Sequence, residues 1–147
     1  MPRVIKWEAP PTMDTGAPLP VIKFVVDSLF VTYVCHNPKF PGWDSGATIE
    51  HPGFDIYSAV LRFDRVAWHQ FGAPDEHNIN THPLYSYGLR CHNFWEILDS
   101  PRKINNLRHW IGAFHDETLE VVAESSHIIT EHHDGENTHD IILEYAK

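Results

Sequence analysis

Cysteine is nearly missing from this chain: Cys35 and Cys91 are the only two among 147 residues. So few thiols leave no disulfide framework to expect, and a reducing, cytoplasmic setting follows as the expectation. Long apolar runs are missing too. The longest are pieces such as "FVV" and "AVL", far short of a membrane span. Basic residues are scarce, 11 against 20 acidic ones, for a formal net charge of −9. A phosphate-backbone binder needs clustered cations to release counterions, so nucleic acid is not an expected partner. Helical periodicity is faint, and the chain has no His-Glu-x-x-His, no glycine-rich phosphate loop and no Gly-x-Ser-x-Gly elbow. The first twenty residues lack the apolar centre of a secretion signal and are rich in proline. They predict an extended N-terminal arm, 1–20, leading into a single domain, 21–147.

Strand signals fill that domain. "VIKFVVDSLFVTYVC" (21–35) is broken by Asp27-Ser28, and a turn there would set Val26 against Leu29, Phe24 against Val31 and Ile22 against Tyr33. Residues 36–55 are dense in Pro and Gly and long enough to suggest a cover over a site, with Trp43 as an aromatic contact. "YSAVLRFDRVAWHQFG" (57–72) alternates like one further strand, and 73–88 is a second long connection. "LRCHNFWEIL" (89–98) predicts another strand, ended by the turn-rich "DSPRKINN". At the C-terminus a hairpin around "DGEN" competes with a short helix over 138–146, with the hairpin preferred. The expected fold class is mostly β, a single antiparallel sandwich or barrel of about seven or eight strands with long loops.

The triplet Cys-His-Asn occurs twice, at 35–37 and 91–93. Neighbouring residues of a strand project to opposite faces, so a thiol and the imidazole beside it diverge. Four such ligands cannot converge within the roughly 2.0–2.3 Å that zinc requires. Two buried cysteines are the expectation, and no metal is predicted, although a divalent ion such as zinc remains chemically conceivable. Trp68, Trp95 and Trp110 read as core.

More informative is "RHWIGAFHDETLEVVAE" (108–124). A turn at Asp116-Glu117 would place His115 opposite Thr118, Ala113 opposite Glu120 and His109 opposite Glu124 on one surface. Two imidazoles and two carboxylates there alternate with aliphatic residues, which suggests a lined pocket. A carboxylate next to an imidazole raises the pKa of one and lowers that of the other, the basis of a proton donor–acceptor couple. His109 and His115 on one strand lie about 20 Å apart at ~3.3 Å per residue, too far to share an ion without another strand, such as one bearing His69 or His92.

Together with "HPLYSYGLR" upstream, this stretch resembles small bacterial proteins without an assigned activity. In those, an Arg-His-aromatic strand runs into Phe-His-Asp-x-Thr and then a Glu-containing strand ending in Ala. The resemblance spans about 82–124. It implies a bacterial origin and marks His109, His115, Asp116, Thr118 and Glu120 as the fitting positions, without supplying a reaction.

The chain has twelve histidines, and protonating them all would reverse the sign of its net charge. Histidine titrates near pH ~6.5, so mild acid should alter this surface strongly. His132 and His139 would meet across the expected last hairpin. Three functions are compatible with these features. A binding or accessory protein, of the toxin-neutralising or operon-accessory type, would take a protein partner or a small molecule through Trp43, Asp116 and Thr118. A small-molecule acid–base enzyme (lyase, isomerase or hydrolase) would use His115 and Glu120 with His109 and Glu124 in support. A homo-oligomer could form through an exposed sheet edge.

Overall fold

The computed structural model describes residues 1–13, 20–36, 56–102, 105–134 and 138–146. Among them are nine strands in two antiparallel sheets and one α-helix. In sequence the strands are β1 (Arg3–Lys6), β2 (Val21–Val25), β3 (Ser28–His36), β4 (Ile56–Asp64), β5 (Trp68–Gly72), β6 (Asn93–Leu98), β7 (Arg108–Ala113), β8 (Thr118–Ala123) and β9 (Ser125–Asp134). One sheet has the order β1-β6-β7-β8-β5, the other β2-β3-β4-β9. Neither closes into a barrel, so the mostly β expectation resolves as a sandwich.

Strand alternation builds the core between the sheets. Leu29, Val31, Tyr33 and Cys35 of β3, with Ala59, Leu61 and Phe63 of β4, meet Phe94, Trp110, Leu119, Val121 and Ala123 from the other sheet, all buried. Trp7 follows β1 and packs on Phe63, Phe94 and Trp110 with ring centroids 5.8–6.0 Å apart. The first residues are therefore more than an arm. Arg3–Lys6 forms an edge strand against Trp95–Leu98, and Met13 bridges to Cys35.

Three local expectations change. Residues 57–72 are two strands in different sheets, because the chain turns at Arg65, whose φ is +53°, before re-entering at Trp68. The strand expected over 89–98 begins only at Asn93, so Cys91 and His92 lie ahead of it, and His92 has a φ of +64°. Cys35 is buried as expected, while Cys91 is only partly so. The C-terminal hairpin gives way to the helix α1 (Thr138–Tyr145), with Asp140 in its first turn, where a carboxylate favours the positive end of the helix dipole. The helix packs across β2, β3 and β4 and buries Ile141 and Ile142. His139 is exposed on it, and the hairpin expected to set it against His132 is not formed. Residues 37–55, including Trp43, lie outside the described residues. No described helix is long and apolar enough to cross a membrane.

Candidate functional site

The β7–β8 hairpin carries the site, in a register two residues away from the expected one. Ala113 pairs with Thr118, Ile111 with Glu120 and His109 with Val122, so the chain reverses at His115-Asp116. The Phe114 amide closes that turn by donating to the Glu117 carbonyl at 2.9 Å. Because a strand alternates with period two, a slip of two residues keeps every side chain on its expected face. The polar and aliphatic surface of His109, Ile111, Ala113, Thr118, Glu120 and Val122 therefore exists. All six residues are buried.

What buries them is the connection over residues 73–92. It crosses the outer face of the sheet through two short 3-10 turns, Ile79–Thr81 and Tyr85–Tyr87. Ile79, Leu84 and Leu89 of this connection pack on Ile97, Ile111 and Ala113. The Thr118 hydroxyl pins its start by donating to the Pro74 carbonyl at 2.7 Å. The cover over the sheet thus comes from this connection.

Glu120 sits at the centre, diagonal to His109 across the strand pair. Its Oε1 is 3.0 Å from His109 Nε2 and its Oε2 is 2.8 Å from His82 Nε2. Each imidazole is held from behind. The Leu84 amide donates to His82 Nδ1 at 3.0 Å, which leaves the ring proton on Nε2, aimed at the carboxylate. Ser100 Oγ accepts the Arg102 amide at 3.0 Å and lies 2.6 Å from His109 Nδ1, so its hydroxyl proton is free to serve that nitrogen. His109 then also turns an Nε2–H toward Glu120. Burial by itself would push the Glu120 carboxyl up. The hydrogen bonds from His109 and His82, with their charges, outweigh it and hold the carboxyl at about 2, against an ordinary 4.5.

Arg102 completes the arrangement. Its Nε lies 3.8 Å from Glu120 Oε1, an ion contact too long for a hydrogen bond. Its guanidinium lies over the ring of Trp68 at 4.3 Å, a cation–π placement, and 48% of the side chain remains exposed. A cavity of about 320 Å³ opens here, walled by Pro83, Leu84, Pro101 and Arg102, with His82, His109 and Glu120 at its polar side.

The other expected residues fall elsewhere. His115, displaced into the turn, lies with Nδ1 2.8 Å from Asp116 Oδ1 and Nε2 2.9 Å from Glu76 Oε1. Both ring nitrogens can donate only in the imidazolium form. The Asp116 hydrogen bond is the largest cause and raises its pKa; desolvation opposes it, and the charges of Glu76, Asp116 and Asp75 add to the rise. His92 stacks on His115 and its Nε2 stands 3.1 Å from Glu76 Oε2, in an orientation that makes an ion contact rather than a hydrogen bond. Glu124 is exposed and pairs with Arg65 at 3.3 Å. The expected couple of His115 with Glu120, supported by Glu124, is therefore not assembled, whereas His109 and Glu120 are brought together. His69 is exposed and stacks on Phe24.

Sequence reasoning missed His82, Ser100 and Arg102. The length of the 73–88 connection was a usable signal, since long irregular segments in compact domains tend to cover sites. Among the described residues no group of three or more His, Cys, Asp or Glu side chains is arranged to hold a metal ion. The inward-facing imidazole nitrogens point at carboxylate oxygens instead. The chain matches no protein-family model, no curated protein and no solved structure.

Proposed function

We propose that this protein is a small-molecule-binding protein and that the ligand enters the cavity beside Glu120. One observation carries the reading. A buried, ionised carboxylate is held between two imidazoles and faces a cavity whose remaining walls are mostly apolar. About 320 Å³ falls at the small end of ligand pockets, which run from about 300 to 1,000 Å³ with a few placed polar groups. Four lone-pair sites belong to a carboxylate, and two imidazoles occupy two of them. Glu120 can therefore still accept hydrogen bonds from a guest.

An acid–base enzyme is the second reading, favoured by the His109–Glu120 pair lying inside a cavity. Two features weigh against it. Each imidazole has both ring nitrogens engaged by protein groups, and a carboxyl held at about 2 is a weak base near neutrality. Binding is better served than proton transfer.

NMR with a library of small polar compounds, read on both the compounds and the histidine rings of the full chain and of Arg102→Gln, tests the proposal. Binders should move the imidazole resonances of His82 and His109, and their affinity should change at least several-fold in the variant. Binders that leave both imidazoles unmoved and ignore the substitution would overturn it, as would the lack of any binder at millimolar concentration.

A further inference from the structure

The polar side of the cavity carries opposite charges next to each other. Glu120 is ionised, and Arg102 Nε is 3.8 Å away, close enough to attract but not to satisfy. Among the described residues Glu120 is the one carboxylate within ion-pair distance of this guanidinium, which also lines the cavity. A guest of one sign only would be repelled by one partner while neutralising the other. A guest with adjacent opposite charges would satisfy both, replacing a loose ion contact with two hydrogen-bonded ones.

We infer that the cavity takes a free α-amino acid zwitterion, its ammonium on Glu120, its carboxylate on Arg102 and an apolar side chain against Pro83, Leu84 and Pro101. The inference rests on the small-molecule reading above and names the class of ligand. Size agrees with it. A volume of about 320 Å³ corresponds to about ten water molecules at ~30 Å³ each, which suits one amino acid rather than a peptide. The guanidinium carbon of Arg102 lies over the Trp68 ring, and this contact partly orders the arginine before the carboxylate arrives, which lowers the entropy lost on binding.

Isothermal titration of the full chain with L-leucine, leucinamide and N-acetyl-leucine separates the contributions. Leucinamide lacks the carboxylate, and N-acetyl-leucine lacks the ammonium. Leucine should bind at least ten-fold more tightly than either. In Arg102→Gln, leucine and leucinamide should become equivalent. In Glu120→Gln, leucine and N-acetyl-leucine should become equivalent. Arg102 is half-exposed, so its variant remains informative if the buried Glu120 substitution does not fold. Equal binding of the amide or the acetyl compound by the unaltered protein would overturn the zwitterion. Failure of all three while other small molecules still perturb His82 and His109 would overturn the ligand class and leave the binding reading standing. Failure of every small molecule would remove both.

Discussion

His82 Nε2 stands 2.8 Å from Glu120 Oε2, and this contact joins residues 38 apart in sequence. It fastens the middle of the 73–92 connection to the sheet beneath. The start of the connection is held separately, by Thr118 on Pro74 and by the Glu76 amide donating to the His115 carbonyl. The cover is thus tied at two places, one wholly buried and one at the rim.

Acid should loosen the buried tie. Glu120 has a carboxyl held at about 2 when folded, against about 4.5 when free. A depressed carboxyl contributes its full stability above its unfolded pKa and loses it as pH falls through the folded one. The contribution is on the order of 3 kcal/mol, present above about pH 4.5 and fading toward pH 2. Urea unfolding from pH 6 to pH 2.5 measures it. Glu120→Gln should be less stable at pH 6 and show a shallower decline on acidification; parallel curves for the two proteins would refute this.

Alkali should loosen the rim. His115 donates from both nitrogens only while protonated, and its pKa is raised. A raised imidazole contributes fully below its ordinary value of 6.5, and the contribution disappears as pH rises through the folded value. An NMR titration of its ring should give a midpoint above 6.5. Asp116→Asn, which removes the largest cause, should move that midpoint down. A midpoint at or below 6.5 in the unaltered protein would contradict the geometry.

Two glycines should respond unequally to alanine. A Cβ at Gly112 would lie 2.9 Å from Phe114 Cε2 and 3.1 Å from Phe94 Cε1, two packed core rings. At Gly72 the nearest neighbour would be Glu117 Oε2 at 3.9 Å, ordinary contact. Gly112→Ala should cost about 1–3 kcal/mol through overpacking, and Gly72→Ala should stay within about 0.5 kcal/mol. Thermal melts of the two variants decide it, and equal melting temperatures would count against the packing described.

Side-chain parity was legible in the sequence because it depends only on the two-residue period of a strand. His109 and Glu120 share a face in either register, and so do Phe24, Leu29 and Val31. Register was not legible, and both hairpins slipped by the same two residues. The first turn uses Val26, at φ +58°, where a β-branched side chain gives no turn signal. In the second, His115-Asp116 offers no glycine or asparagine to mark the reversal. The helix α1 prevailed over a hairpin because Ile141 and Ile142 found the outer face of β2–β4 to cover.

By itself, then, the sequence determined the class of fold, the apolar faces of the β2–β3 and β7–β8 hairpins, and the placement of His109 and Glu120 on one side of β7–β8. Tertiary structure decided which imidazoles meet Glu120. His109 arrives across one strand pair, but His82, Ser100 and Arg102 come from irregular segments, where no period relates position to direction. Their convergence depends on how the 73–92 connection buries Ile79, Leu84 and Leu89, a packing outcome that local pattern does not encode.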